Sequence, residues 1–413
     1  MYISLLGRQP ELSIAELERL FTNTRWFTAN TALFDSPQKP NVQQLGGSQK
    51  IGKVIKTTPA TQWKQVEKEI LTHYRKKWSN QEGKITLGIS VYSTDAKQLP
   101  SPRDVQKTGL TLKGALKKGG VSLRLIPNKD SSLSSATSHH NKLGLSANKI
   151  ELIIVLGKNS SAIAESLGAQ NITALATRDQ GRPKRDAFVG MLPPKLAQII
   201  INLAAGSPLT EPEIHTPDQQ LTVLDPFCGT GVLLQEALLL GYNAYGTDLA
   251  PKMIDYSEAN LKWLQETHLS NSDRSQQPTY QLSQGDAVET QWQITPQTTI
   301  AAETYLGQPF SAPPSQAKLI EVQGNCNHII GGFLKNLGTQ LNPGTPIAIA
   351  VPAWRSKDLS PYGNPMFTHL PLVSDPEKYG FNRINLENVE PEKLLYFRPE
   401  QVVAREILIL RKI

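Results

Sequence analysis

The sequence predicts an α/β protein: a doubly wound, mostly parallel sheet in the C-terminal half, preceded by a smaller α/β region. Three observations predict it. Beyond residue 194, apolar runs of strand length alternate with stretches of helical periodicity, the pattern left by parallel strands joined through crossover helices. A glycine-rich turn at 225–231 joins a strand directly to a helix. And 413 residues exceed what one ordinary core supports, so two or three domains are expected.

In chain order, the opening Tyr2-Ile-Ser-Leu-Leu-Gly reads as a short buried strand. Residues 11–21 follow as a helix, with Leu12, Ile14, Leu17, Leu20 and Phe21 mostly on one side and Pro10 in its first turn. Residues 29–50 are polar and read as loop and turn. A second helix is expected over 62–78, and 84–92 alternates as a strand does. Residues 107–118 form a basic helix closed by Gly119-Gly120, and 121–126 and 151–156 are further strands. Residues 177–185 read as a polar, basic hinge. Beyond it, 194–204 is a helix leading through a proline-containing loop to a strand at 221–224. Residues 267–278 read as an exposed insertion, and 394–398 and 404–410 as two closing strands.

Composition narrows the class. Hydrophobic content of 39% and charged content of 19% suit a soluble globular chain. No apolar run reaches the roughly 18 residues a membrane span needs, and the start lacks a secretory pattern. Cys228 and Cys326 alone cannot build a disulfide framework or a metal cluster, and His139-His140, with no further clustered ligand, reads as a solvent-facing pair. A cytoplasmic enzyme without a metal is the expectation. Net charge is +7. Residues 101–150 carry nine lysines and arginines, Arg103 to Lys149, against Asp104 and Asp130. Such a stretch fits a polyanionic partner or a solvated basic face.

The strongest chemical signal is Leu221-Thr-Val-Leu-Asp-Pro-Phe-Cys-Gly-Thr-Gly-Val-Leu-Leu. A strand ends at Asp225, Gly229 and Gly231 permit a tight turn with close backbone approach, and a helix starts at once. A dinucleotide site wants a third glycine for helix–strand packing, and Leu234 stands there instead. A carboxylate at the strand end offers nothing to a pyrophosphate. It can face the ammonium of an amino acid carried on a sulfonium, with Phe227 on the same turn. Asp248 ends a second strand, placed to accept both hydroxyls of a ribose. Asp286 ends a third, at 281–286, placed to accept from an adenine amino group. S-adenosylmethionine is the cofactor these positions imply.

The fourth strand, at 299–303, should present the nucleophile. Methyltransferases of exocyclic amines usually hold Asp or Asn, two prolines and an aromatic there. Here Glu303 takes the acidic place, Thr304 and Tyr305 replace the prolines, and Leu306 stands at the aromatic. An exocyclic amine is a weak nucleophile because its lone pair is delocalised. It needs acceptors for its hydrogens and an aromatic face to hold the base in line. Glu303 can accept, and Tyr305 or Phe310 can stack.

The segment 225–237, with Arg182-Pro-Lys-Arg-Asp-Ala-Phe-Val-Gly-Met-Leu-Pro-Pro-Lys-Leu-Ala ahead of it and Leu6-Gly-Arg-Gln-Pro-Glu-Leu at the start, resembles the THUMP-domain RNA methyltransferases. Within them it is most similar to the tRNA guanosine N2-methyltransferases acting on guanosine ten. The resemblance implies three domains: ferredoxin-like (1–60), THUMP-like and RNA-binding (61–176), and a class I, Rossmann-like methyltransferase domain (177–413) with a mostly parallel seven-stranded sheet. It implies that Asp225, Gly229 and Gly231 hold the methionine part of the cofactor, Asp248 its ribose and Asp286 its adenine. Phe188 to Pro194 would lead into a helix covering the cofactor, and Glu303 would meet the target amine. The implied partner is tRNA, with no membrane. Two other readings stay open: a DNA amino-methyltransferase, and a non-catalytic RNA-binding protein that keeps a cofactor site.

Overall fold

The computed structural model describes residues 1–186, 192–212, 214–215, 219–269, 277–359 and 365–413. They form two compact units, Met1–Leu17 with Phe21–Leu175, and Glu18–Leu20 with Ala176–Ile413.

The first unit is built on β1 (Tyr2–Leu6), α1 (Pro10–Leu20), β2 (Thr22–Thr28), β3 (Thr31–Asp35) and β4 (Ser48–Thr58). These are followed by α2 (Trp63–Lys77), β5 (Ile85–Ser93), α3 (Pro102–Lys118) and β6 (Leu123–Leu125). Then come α4 (Ser135–His140), β7 (Lys149–Leu156) and β8 (Ser161–Ala169). One eight-stranded sheet runs β2-β3-β1-β4-β8-β7-β5-β6, so strands from both sides of residue 60 share it. In β7, Leu152, Ile154 and Leu156 face the core under α2 and α3, while Ile153 and Val155 face the other side. Burial on both faces explains its unbroken apolar run. α3 starts five residues before the expected 107 because Ser101 and Asp104 form a reciprocal capping box with Pro102 in the first turn.

The expectation of loop over 29–50 is corrected. β3 lies within it and β4 begins at Ser48. β4 reads as polar because it carries Lys50, which is buried and donates to Glu151 Oε1 at 2.5 Å and to the Leu133 carbonyl at 2.8 Å. A buried, paired lysine looks like a surface residue in sequence. The hinge at 177–185 is also partly helical, since α5 (Ile172–Gln180) extends into it.

The second unit contains α6 (Pro194–Ala205), β9 (Thr222–Asp225), α7 (Val232–Leu239), β10 (Asn243–Asp248), α8 (Pro251–His268) and β11 (Tyr280–Gln284). It continues with β12 (Thr298–Glu303), α9 (Gln316–Gly338), β13 (Pro346–Leu359), β14 (Pro365–Thr368) and β15 (Phe381–Arg383). β16 (Leu395–Tyr396) and β17 (Val403–Lys412) complete it. Its sheet runs β11-β10-β9-β12-β13-β17-β15, with β14 beside β13 and β16 beside β17. β11, β10, β9, β12 and β13 pair in parallel, and β17 runs antiparallel to both β13 and β15. The expected mostly parallel, seven-stranded α/β sheet is therefore present, with two short strands added. Around β9 the chain turns first to β10 and β11, then crosses back to β12. Open sheets of this kind bind ligands at such a reversal, outside the carboxyl ends of the strands. The insertion expected at 267–278 lies largely outside the described residues. No helix among the described residues is long and apolar enough to cross a membrane.

Candidate active site

β9 is a four-residue strand buried at its last three positions, and it delivers Asp225 at its carboxyl end with 3% exposure. Pro226 and Phe227 begin the turn, and the Phe227 amide donates to Asp225 Oδ1 at 3.0 Å. Gly229 and Gly231 then adopt φ of 52° and 78°, and Gly231 caps α7 in the left-handed region. A Cβ on Gly231 would stand 2.9 Å from Ser257 Oγ, and that hydroxyl donates to the Gly229 carbonyl at 2.8 Å. Gly231→Ala should therefore lose about 1–2 kcal/mol from the left-handed backbone alone. A lower melting temperature together with weakened ligand binding checks this.

Leu234 resolves the missing third glycine. A Cβ on Gly246 of β10 would meet Leu234 Cδ1 at 2.5 Å. The small residue that lets α7 approach the sheet thus sits on the strand rather than in the turn.

Asp248, the last residue of β10, ties the turn down. Its Oδ2 accepts from the Gly229 amide and its Oδ1 from the Ala250 amide, each at 2.9 Å. Asp286 lies two residues past β11 rather than at its end, with Oδ1 accepting from the Val288 amide at 2.9 Å. Glu303 is the last residue of β12. The next residue, Thr304, donates from both its amide (3.0 Å) and its hydroxyl (2.9 Å) to the Ala350 carbonyl of β13. That double bond to the neighbouring strand fixes the chain where a proline was expected.

These side chains meet in one cavity of about 580 Å³, within the size range of small-molecule sites. Asp225, Phe227, Gly229, Asp248, Asp286, Glu303 and Tyr305 all line it. Gly231 belongs to the same turn but is not in the lining. Tyr305 is 39% exposed, leaving its ring open for stacking. Phe310 does not line the cavity and packs against the apolar core instead. Phe188 lies outside the described residues, while Leu192, a little further on, does line the cavity.

The electrostatics are one-sided. Four carboxylates line the cavity and, among the described residues, no lysine, arginine or histidine does. No group of three or more His, Cys, Asp or Glu among the described residues is arranged to hold a metal ion, so the acids face a shared space without converging on a point. Burial pushes the Asp225 carboxyl well above the ordinary range, and the charges of Asp248 and Glu303 push it further. Such a site disfavours a pyrophosphate and fits a ligand bearing positive charge. The residue that sequence reasoning missed is Arg405 of β17, whose Nε donates to Glu303 Oε1 at 2.5 Å. It lies 102 positions from Glu303, and no local pattern marks it.

No family model matches the chain. An 86-residue stretch, 20% of this chain, is 35% identical to a tRNA (guanine(10)-N2)-dimethyltransferase of Methanothermobacter thermautotrophicus, covering 22% of that protein. A 72-residue stretch, 17% of this chain, is 33% identical to the Pyrococcus abyssi protein of the same description, covering 18% of it. The chain thus matches about a fifth of the length of these curated relatives. Among solved structures, TrmN from Thermus thermophilus aligns over 100% of this chain and 99% of its own, at 15% identity and a TM-score of 0.47.

Proposed function

We propose that this chain is an S-adenosylmethionine-dependent methyltransferase that modifies the exocyclic N2 amine of a guanosine in tRNA. The observation that carries the reading is the cavity lined by four carboxylates and, among the described residues, by no cation. S-adenosylmethionine combines a sulfonium with an ammonium, and when bound it supplies an electrophilic methyl group. Asp225 and the turn through Gly231 would hold its amino-acid part, Asp248 its ribose and Asp286 its adenine. Phe227 and Phe188 would add apolar contact. Asp248 keeps lone pairs for a ribose beyond those its two backbone bonds use.

Glu303 would accept a hydrogen of the target amine, favouring the positive charge that builds on nitrogen. Tyr305 would stack on the base and hold it in line. A guanine within a stem would first leave its stack, at a cost of a few kcal/mol. The choice of guanine N2 and of tRNA draws on the two matched stretches, whose relatives are described as tRNA (guanine(10)-N2)-dimethyltransferases. The first unit supports an RNA partner. Arg103, Lys107, Lys113, Lys117 and Lys118 stand exposed along α3. A groove of about 800 Å³ beside α2 is lined by Lys56, Lys68, Glu69, His73, Lys76 and Lys77, with Lys56 paired to Glu69 and Lys77 to Glu165. Phosphate contacts of that kind weaken steeply with salt.

The same proposal assigns 1–60 to a ferredoxin-like domain, 61–176 to a THUMP-like domain and 177–413 to the catalytic domain, in the cytoplasm. The division of the chain near residue 175 supports the last boundary.

The test is incubation of the purified protein with methyl-labelled S-adenosylmethionine and either total tRNA or duplex DNA, then digestion to nucleosides. Label in N2-methylguanosine from tRNA is expected. Label confined to DNA would make the chain a DNA amino-methyltransferase. Label in neither, with cofactor binding intact, would make it a non-catalytic binder.

A further inference from the structure

We propose that Arg405 is a positioning residue for methyl transfer: it claims one oxygen of Glu303 and leaves the other to the acceptor amine. This rests on the function proposed above.

Glu303 closes β12, and β13 separates it from β17. In register, Glu303 lies opposite Ala350 of β13, and Arg405 opposite Pro352. The guanidinium therefore reaches over β13, across roughly two strand spacings or about 10 Å. Its side chain is 7% exposed and that of Glu303 is 15% exposed. Nε meets Oε1, whereas Oε2 makes no hydrogen bond among the described residues although Glu303 lines the cavity.

A glutamate is one methylene longer than the Asp or Asn usual at this place, and so has one more torsion to fix. Holding a long Glu side chain in one rotamer costs conformational entropy. The Thr304 bonds to Ala350 fix the backbone but not that side chain. Arg405 supplies the missing restraint. It also opposes the mutual repulsion of Glu303 and Asp225, whose charges interact across the cavity.

The experiment compares Arg405→Met, Arg405→Lys, Glu303→Gln and the Glu303→Gln/Arg405→Met pair. Measured for each are kcat, both KM values, melting temperature and affinity for S-adenosylhomocysteine by calorimetry. Arg405→Met should lower kcat about 10–100-fold, with cofactor and RNA KM values within about threefold. Arg405→Lys, which keeps the charge but loses the planar fork, should recover part of kcat. The double variant should be no slower than Glu303→Gln alone, because the two residues act as one unit. Wild-type kcat in Arg405→Met, or multiplicative losses in the double variant, would overturn the proposal. Should Arg405→Met not fold, Arg405→Lys decides: a kcat loss with KM unchanged supports positioning, and wild-type kcat refutes it. The pairing itself is read without catalysis from the ¹⁵N–¹H signal of Arg405 Nε. That signal should move in Glu303→Gln, and an unmoved signal overturns the proposal. A moved signal in a protein that methylates no nucleic acid removes the proposed function instead.

Discussion

Asp225→Asn is expected to stabilise the ligand-free protein while cutting its affinity for S-adenosylmethionine about 10–100-fold. The two effects share one cause. Burial raises the Asp225 carboxyl well above the usual range, with Asp248 and Glu303 adding to the shift. The folded state therefore holds that proton more tightly than the unfolded state. Ionising the buried group costs stability, and the cost grows as pH rises from the ordinary carboxylate range toward the raised value. Asparagine removes the charge yet still accepts the Phe227 amide hydrogen bond. A gain of about 1 kcal/mol would appear as a melting shift of roughly 2–4 °C, larger near neutral pH than near pH 4. Binding follows the opposite logic. The ligand's ammonium needs the carboxylate, and a charged hydrogen bond is worth about 1.5–3 kcal/mol. Wild-type affinity should fall as pH falls through the raised value, and the variant's should not. Calorimetry with S-adenosylhomocysteine across pH checks both statements; equal affinities at every pH would remove Asp225 from the ammonium site.

Glu303→Gln is expected to reduce kcat about 10²–10³-fold, the size seen when one group stabilising a transition-state charge is removed. Cofactor affinity should change far less than kcat, because Asp225, Asp248 and Asp286, the groups assigned to the cofactor, all remain in the variant. The side-chain amide can still accept from Arg405, but the guanidinium, 7% exposed, loses its counter-charge. A melting loss should therefore accompany the kinetic one, worth about 1–3 kcal/mol. Single-turnover methylation of tRNA, read beside thermal melts, separates the two. Unchanged turnover in a folded variant would leave Glu303 without a catalytic part.

The parts of the site legible in sequence are those built from contiguous residues. Asp225 through Gly231 is strand, turn and helix start in one short segment, so residue types and spacing carried the geometry. Asp248 and Glu303 were legible because each is the acid that closes a short strand. The same local logic misplaced Asp286 by two residues and read Phe310 as a stacking candidate, though the core takes its ring.

Long-range pairing hid the rest. Lys50 makes β4 read as loop because its charge is neutralised by Glu151, 101 positions away. The short β3 sits among polar residues, and pairing with β1 and β2 makes it a strand.

By itself, the sequence determined the α/β class, the glycine-rich turn and the acids that end the strands, because each depends on neighbours within a few residues. Tertiary structure alone decided that four carboxylates share one cavity free of cations among the described residues, that Gly246 makes room for Leu234, and that Arg405 takes hold of Glu303. The physical reason is sheet order. Strands adjacent in space are distant in sequence, and the carboxyl edge where they end exists only after they pair.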